Sequence, residues 1–278
     1  MADLPTNVYV GIDVAFAKRK RLPVVVCRFR EERLEPLPLR TARVKPPAGK
    51  GNASILDSRT IESFANETAA YLKSIEGELC VHIRRIAIDS PSAPKLPETQ
   101  RRACEIGLDN RNIHCITTPS TTEFDAIRLR AAEHLQAGGA ESRIPSANQL
   151  WMLVGFELFK RLGNDWDCIE VFPQAIAAVL NANRLPKTCR QGLAAQLGAV
   201  ADYTKWPPSR DVNSLRDIGY GSAHDRLDAY MAAWVAALTD DDRIPIGNPP
   251  NDAIWVPRVR GMSGNADASR ASVHARPA

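Results

Sequence analysis

Three aspartates of this 278-residue chain stand where a carboxylate is costly unless a cation meets it. Asp13 closes the run NVYVGID and Asp89 closes IRRIAID, so each ends an apolar, β-branched stretch. Asp228 lies in HDRLDAYMAAWVAAL, three residues before Met231 and seven before Val235, which puts it on or beside that segment's apolar face. Buried carboxylates of this kind need a compensating charge or donor. Two strand-end aspartates with one helix carboxylate form an oxygen-only set suited to Mg²⁺ or Mn²⁺. Two such ions about 4 Å apart can activate water and stabilise the leaving oxygen of a phosphodiester. Each acid also has a plainer reading. Asp89 before Ser90-Pro91 suits a turn cap, and Asp225, one turn ahead of Asp228, suits the positive end of a helix dipole. Asp228 fits the dipole reading less well.

Basic residues flank two of these acids. Lys18, Arg19, Lys20 and Arg21 form a turn just after Asp13, and Arg101 and Arg102 follow the loop after Asp89. Both clusters are candidates to hold a phosphate backbone, with a solvated charged turn the even-odds alternative for the first. Glu170 in DCIEVFP is a further acid near a strand end. His224 suits a first helical turn better than a proton-transfer role beside Asp225. PPAGKGN lacks the full phosphate-loop spacing, and Ser90 has no His and Asp partners at motif spacing. Trp151, Phe156 and Phe159 recur with Leu150, Leu153 and Val154 at helical spacing, a pattern of core packing more than of base stacking.

The elements that must position the acids follow from periodicity. Residues 7–13 and 22–29 read as two strands joined by a short basic turn, hence an antiparallel hairpin. RLEPLPLR is a third strand, restricted to an edge by Pro36 and Pro38. Ser58 is a candidate N-cap for a helix to about Glu76, whose Ile61, Phe64, Ala65, Thr68, Ala69, Leu72 and Ile75 share one face. The strand ending at Asp89 follows, and a helix between strands favours a crossover within one sheet. Next come a short helix around RRACEIG, a strand NIHCITT, helices at roughly 122–136 and 147–162, and the strand of DCIEVFP. Helices from Gln174, from Lys187 and from His224 precede a last strand, AIWVP. Alanines 229, 232, 233 and 236 let the helix of Asp228 approach its neighbours closely. The organisation expected is one α/β domain over residues 1–261 with a helical insertion at about 100–165. Residues 262–278, almost without bulky apolar side chains, read as a disordered tail.

Composition bounds the function. With 44% hydrophobic and 24% charged residues the chain is that of an ordinary globular protein. No apolar run approaches the ~18 residues of a membrane span, and MADLPTNVYV lacks the pattern of a secretory signal, so a cytoplasmic protein without membrane partners is expected. Six cysteines without CxxC spacing read as reduced, buried thiols, and five dispersed histidines assemble no zinc site. A net charge of +4 permits a nucleic-acid partner without requiring one.

VGIDVAFAK, AIDSPSAP, RRACE, IEVFPQAI and HDRLDAYMAAWVAAL with the closing AIWVP give the chain a family resemblance over about residues 7–257. It resembles the widespread prokaryotic domain of unknown function 429, described as predicted RNase H-like nucleases. The resemblance implies an RNase H-like core, a hairpin-rich mixed sheet flanked by helices. It makes Asp13 and Asp89 metal ligands, has Asp228 or Asp225 complete the set, and likens Glu170 to the family's acid on a later strand. Gln174 stands where another carboxylate would be expected. The function implied is a metal-dependent nuclease acting on DNA or RNA with Mg²⁺ or Mn²⁺. Two readings compete with it: a nucleotide-dependent phosphotransferase of the actin-like branch, and a non-catalytic nucleic-acid- or protein-binding module on the same fold.

Overall fold

The computed structural model describes residues 5–259; the tail expected at 262–278 lies outside them. Seven strands form one mixed sheet: β1 (Thr6–Asp13), β2 (Val24–Arg30), β3 (Arg33–Pro36), β4 (Val81–Asp89), β5 (Asp167–Val171), β6 (Arg243–Asn248) and β7 (Asp252–Pro257). Their order is β3-β2-β1-β4-β5-β7-β6. β1, β4, β5 and β7 run parallel, while β2 and β3 extend one side as an antiparallel meander and β6 pairs antiparallel with β7 at the other. Helices α1 (Ser58–Leu79), α2 (Ala103–Asp109), α3 (Thr121–Gln136), α4 (Ala147–Leu162), α5 (Pro173–Val179), α6 (Arg190–Thr204) and α7 (Ala223–Ala237) flank it. The architecture is an α/β fold with helices on both faces.

Alternation along the central strands divides the core in two. Val8, Val10 and Ile12 of β1 join Ile86 and Ile88 of β4 against α1, α3 and α4. All seven apolar-face residues expected of α1 are buried there. On the other face Ala87, Ile169 and Val171 meet α7, with α2, α5 and α6 around it. Eleven consecutive residues of α7, Leu227 to Ala237, are buried, so it is a central helix and not a surface one. It reaches β1 because Gly11 has no side chain. A Cβ there would lie 1.9 Å from the Ala229 carbonyl oxygen and 2.4 Å from the Ala233 nitrogen. The small residues of α7 and Gly11 together bring helix and strand into backbone contact.

Several sequence expectations are corrected. Residues 113–120 form no strand, although Asn112–Thr118 reads as one. Their place beside β5 belongs to β7, and the Thr118 N–H donates to the Glu105 carboxylate (2.7 Å) instead of a ladder. β6, unanticipated because Pro245 and Gly247 interrupt its pattern, is an edge strand, where a proline is tolerated. α1 is capped by Asp57, which accepts from the Arg59 N–H, and runs on to Leu79. α6 starts at Arg190, capped by Cys189, so Lys187 precedes the helix in a loop. Of the six free cysteines only Cys27 and Cys104 are buried, and Cys80 is exposed at the left-handed end of α1.

Candidate metal centre

Strand register brings the first two acids together. β1 and β4 are parallel, and Asp13 is the register partner of Asp89. Neighbours in register point to the same face, and Gly11 and Ala87, two residues earlier, face α7. The close seating of α7 on Gly11 places Asp228 over the same strand ends. One carboxylate oxygen from each of Asp13, Asp89 and Asp228 lies within 4.8 Å of the others. Octahedral ligands about 2.1 Å from a Mg²⁺ ion are separated by about 3 to 4 Å, so these oxygens span little more than one coordination sphere.

The electrostatics of the cluster ask for a cation. Burial first, then Asp228 and Asp89, hold the Asp13 carboxyl well above the usual carboxylate range. Burial and then Asp228 push Asp89 up to about 8. Asp228, 3% exposed, is raised by burial against the lowering effect of Lys187. Its Oδ1 is buried without a hydrogen-bond partner, which is costly for an acceptor. An oxygen-only donor set that leaves one buried oxygen unpartnered fits a hard divalent cation, and Asp13, Asp89 and Asp228 are the residues that would hold it.

Lys187, which sequence patterns did not single out, supplies the cationic group present. Its ammonium pairs with Asp228 Oδ2. Burial alone would lower its pKa, but Asp228, and beyond it Asp89 and Asp13, outweigh that and hold it above the ordinary lysine value. No local motif marks a lysine in the stretch NANRLPKTCR, because its partners are brought to it by three distant elements.

The other candidates do not join this trio, although Glu170, Arg102 and His224 line one cleft with Asp13 and Asp89. Glu170 pairs in register with Ile88, so it leaves the sheet on the face opposite Asp89. There Arg102 grips it in a bidentate pair of 2.9 and 2.7 Å, both side chains being 4% exposed. Arg102 also meets Asp252 at 3.2 Å, and Arg101 pairs with Asp109 at 3.0 Å and Glu105 at 3.6 Å. Arg102, though it lines the cleft, is thus a buried cation matched by carboxylates, and Arg101 is tethered by two others, so the charge of both is already engaged within the protein. Asp225 lies close enough to raise Asp13, but its Oδ2 accepts from the Ser222 N–H as part of a capping box. His224 Nδ1 stands 2.8 Å from Asp225 Oδ1. Lys18, Arg19 and Lys20 are exposed, whereas Arg21 donates to the Pro46 carbonyl at 2.6 Å.

Asp13 and Asp89 line a cleft of about 1070 Å³ whose walls also include Lys187, Gln174, Thr118, Ile116, Trp151 and Met152, with Glu170 and Arg102 among them. Trp151 is fixed by donating to Asn52 Oδ1 (2.7 Å), and Phe156 packs edge-on against Phe124. Of the three aromatic side chains read as core, Trp151 thus shows one edge to the cleft.

Fold and site define the class: a mixed-sheet α/β protein with a three-aspartate centre at the carboxyl ends of its parallel strands, a position where open α/β sheets commonly bind ligands. The family model described as "Protein of unknown function (DUF429)" matches residues 11–252, and the chain belongs to that family. That span contains all three aspartates and Lys187. No curated protein and no solved structure matches the chain.

Proposed function

We propose that this protein is a metal-dependent nuclease that hydrolyses phosphodiester bonds in DNA or RNA, with Mg²⁺ or Mn²⁺ held by Asp13, Asp89 and Asp228. One observation carries the reading: three carboxylates from separate elements converge within 4.8 Å, two of them lining a cleft, with one buried oxygen of the third left unpartnered. A structural cluster of acids would close its buried oxygens with hydrogen bonds; here Lys187 meets one oxygen of Asp228 while the other stays buried and unpartnered. A bound divalent ion supplies Lewis-acid stabilisation of a phosphoryl oxygen. The chain's own residues do the rest. Asp13 and Asp89 are fixed by the β1–β4 register and Asp228 by the seating of α7 on Gly11, so the oxygens are preorganised on rigid elements. The apolar walls at Ile116, Trp151 and Met152 limit water around a substrate in the cleft. The exposed Lys18, Arg19 and Lys20 are suited to a phosphate backbone. No helix among the described residues is long and apolar enough to cross a membrane, and six free cysteines accord with a cytoplasmic setting.

The test is Mg²⁺ or Mn²⁺ titration calorimetry on wild type and Asp13→Asn, followed by cleavage assays on single- and double-stranded DNA and RNA. Metal binding and cleavage in wild type, both lost in a folded Asp13→Asn, are expected. Full cleavage by that variant overturns the reading. ATP binding without nucleic-acid binding favours the phosphotransferase alternative, and no metal binding with nucleic acid present favours a non-catalytic module.

A further inference from the structure

Lys187 is not placed like an ordinary loop lysine. The loop between α5 and α6 is fastened beside it: Cys189 Sγ caps α6 by accepting from the Gly192 N–H at 3.3 Å, and lies 3.0 Å from the Pro186 carbonyl oxygen, to which it donates. A Cβ on Gly192 would stand 2.1 Å from that same carbonyl oxygen, so only glycine permits the approach. Ala182 anchors the earlier part of the loop in the interior. From this fixed base the Lys187 side chain, 35% exposed, turns inward to the buried Asp228 and surrenders the rotamer freedom that water would allow it. The ammonium that pairs with the cluster thus comes from a loop built to hold it there. With all three carboxylates ionised, as ligands to a metal would be, they and the one ammonium carry a formal charge of −2, which one divalent ion would neutralise.

We propose that Lys187 is a tethered counter-ion of the carboxylate centre, holding Asp228 in the metal-free protein and competing with the divalent cation for it. The proposal rests on the reading of Asp13, Asp89 and Asp228 as a metal site and adds a residue that sets its affinity. Lys187 occupies Oδ2 of Asp228 while Oδ1 stays free, so a cation approaching the triad meets a ready oxygen and a like charge together. Full occupancy requires the ammonium to withdraw. Because Lys187 also lines the cleft, the withdrawn ammonium remains beside any anionic substrate there. Lys187 is accordingly a positioning residue, acting through Asp228.

Mn²⁺ alone, titrated calorimetrically into the full-length wild type, Lys187→Gln, Lys187→Arg and Asp13→Asn, tests this, with thermal melting of each protein in chelator. Lys187→Gln is expected to bind Mn²⁺ about tenfold or more tightly, a modest part of the repulsion between cations about 4 Å apart in a partly buried site. It should also melt at a lower temperature than wild type when metal-free, and Lys187→Arg should restore wild-type behaviour in both measurements. A merely structural lysine would lower the melting temperature without tightening the metal. Equal or weaker Mn²⁺ binding by Lys187→Gln, with wild-type binding still abolished by Asp13→Asn, overturns the counter-ion role and leaves the metal site standing. Absence of binding in every protein overturns both.

Discussion

Asp89 carries the cluster's tension in a form that titration can read. Burial and Asp228 push its carboxyl up to about 8 from an ordinary value of 3.8. A carboxyl whose pKa is raised on folding stabilises the fold only while protonated. That contribution is full below the unfolded value and is lost as pH rises through the folded one. The metal-free protein should therefore melt at progressively lower temperature between about pH 4 and pH 8. Asp89→Asn should flatten much of that decline and raise the metal-free melting point at pH 8. Saturating Mn²⁺ should do the same for wild type, since it binds the folded state. Scanning calorimetry across pH, with and without metal, checks this; an unchanged slope in Asp89→Asn would assign the strain to another group. Arg102 and Glu170 show the opposite case, a buried charge already matched. Arg102→Met leaves Glu170 alone in the interior and should cost about 3–5 kcal/mol in urea denaturation, while adding Glu170→Leu should recover much of it. Residue type alone did not separate these roles. A strand-end aspartate and a strand-end glutamate look alike in sequence, and Arg102 reads as a phosphate ligand until Glu170 and Asp252 are seen to surround it.

At the level of elements, the site depends on how close α7 comes to β1. The apolar stripe and alanines of α7 announce a buried helix, and the runs ending at Asp13 and Asp89 announce strands; those elements, and α3, α4 and β7 with them, were legible from periodicity. Register was not. Nothing local in NVYVGID and IRRIAID says that Asp13 will stand opposite Asp89, nor that Glu170 will pair with Ile88 and so turn away. Asn112–Thr118 has a strand's composition, yet the sheet position it would need is filled by β7, contributed by residues more than a hundred positions later. Gly11 decides how closely the helix can sit. A methyl group at 1.9 Å from a backbone oxygen cannot be accommodated without moving α7. Gly11→Ala should destabilise the protein by about 1–3 kcal/mol or more, and should weaken Mn²⁺ binding although no ligand is altered. Gly77→Ala, where a Cβ meets no atom within 4 Å, is the control and should leave metal binding unchanged. Thermal melting and Mn²⁺ titration of the two variants distinguish a seating role for Gly11 from a general sensitivity to glycine replacement.

For the whole molecule the question is how a chain of modest charge, +4 in 278 residues, would engage a polyanion. Two of the six basic residues singled out in sequence are committed to internal carboxylates and a third, Arg21, to the Pro46 carbonyl. Lys18, Arg19 and Lys20 remain, exposed on the turn after β1. That turn is braced against the segment carrying Gly49 and Gly51: the Arg19 N–H donates to the Gly49 carbonyl at 2.9 Å, and the Gly51 N–H to the Phe16 carbonyl at 3.0 Å. The next residue, Asn52, holds Trp151 of the cleft wall. The three cations are thus tied through this segment to a wall of the cleft, and under the proposed function they are candidates to meet a nucleic acid entering it. Replacing all three by alanine should weaken nucleic-acid binding similarly for every sequence. It should also reduce the slope of log affinity against log salt by about 2 to 3, because each phosphate left unneutralised removes about 0.7 from the slope for a single strand and about 0.9 for a duplex. Mn²⁺ affinity should stay at the wild-type value, because the turn does not touch the triad. Fluorescence anisotropy with a labelled oligonucleotide over a salt series measures the slope. An unaltered slope would show the turn to be solvated and would move the binding surface to the part of the cleft lined by the exposed His114 and Ile116, where recognition would depend on stacking and shape more than on charge.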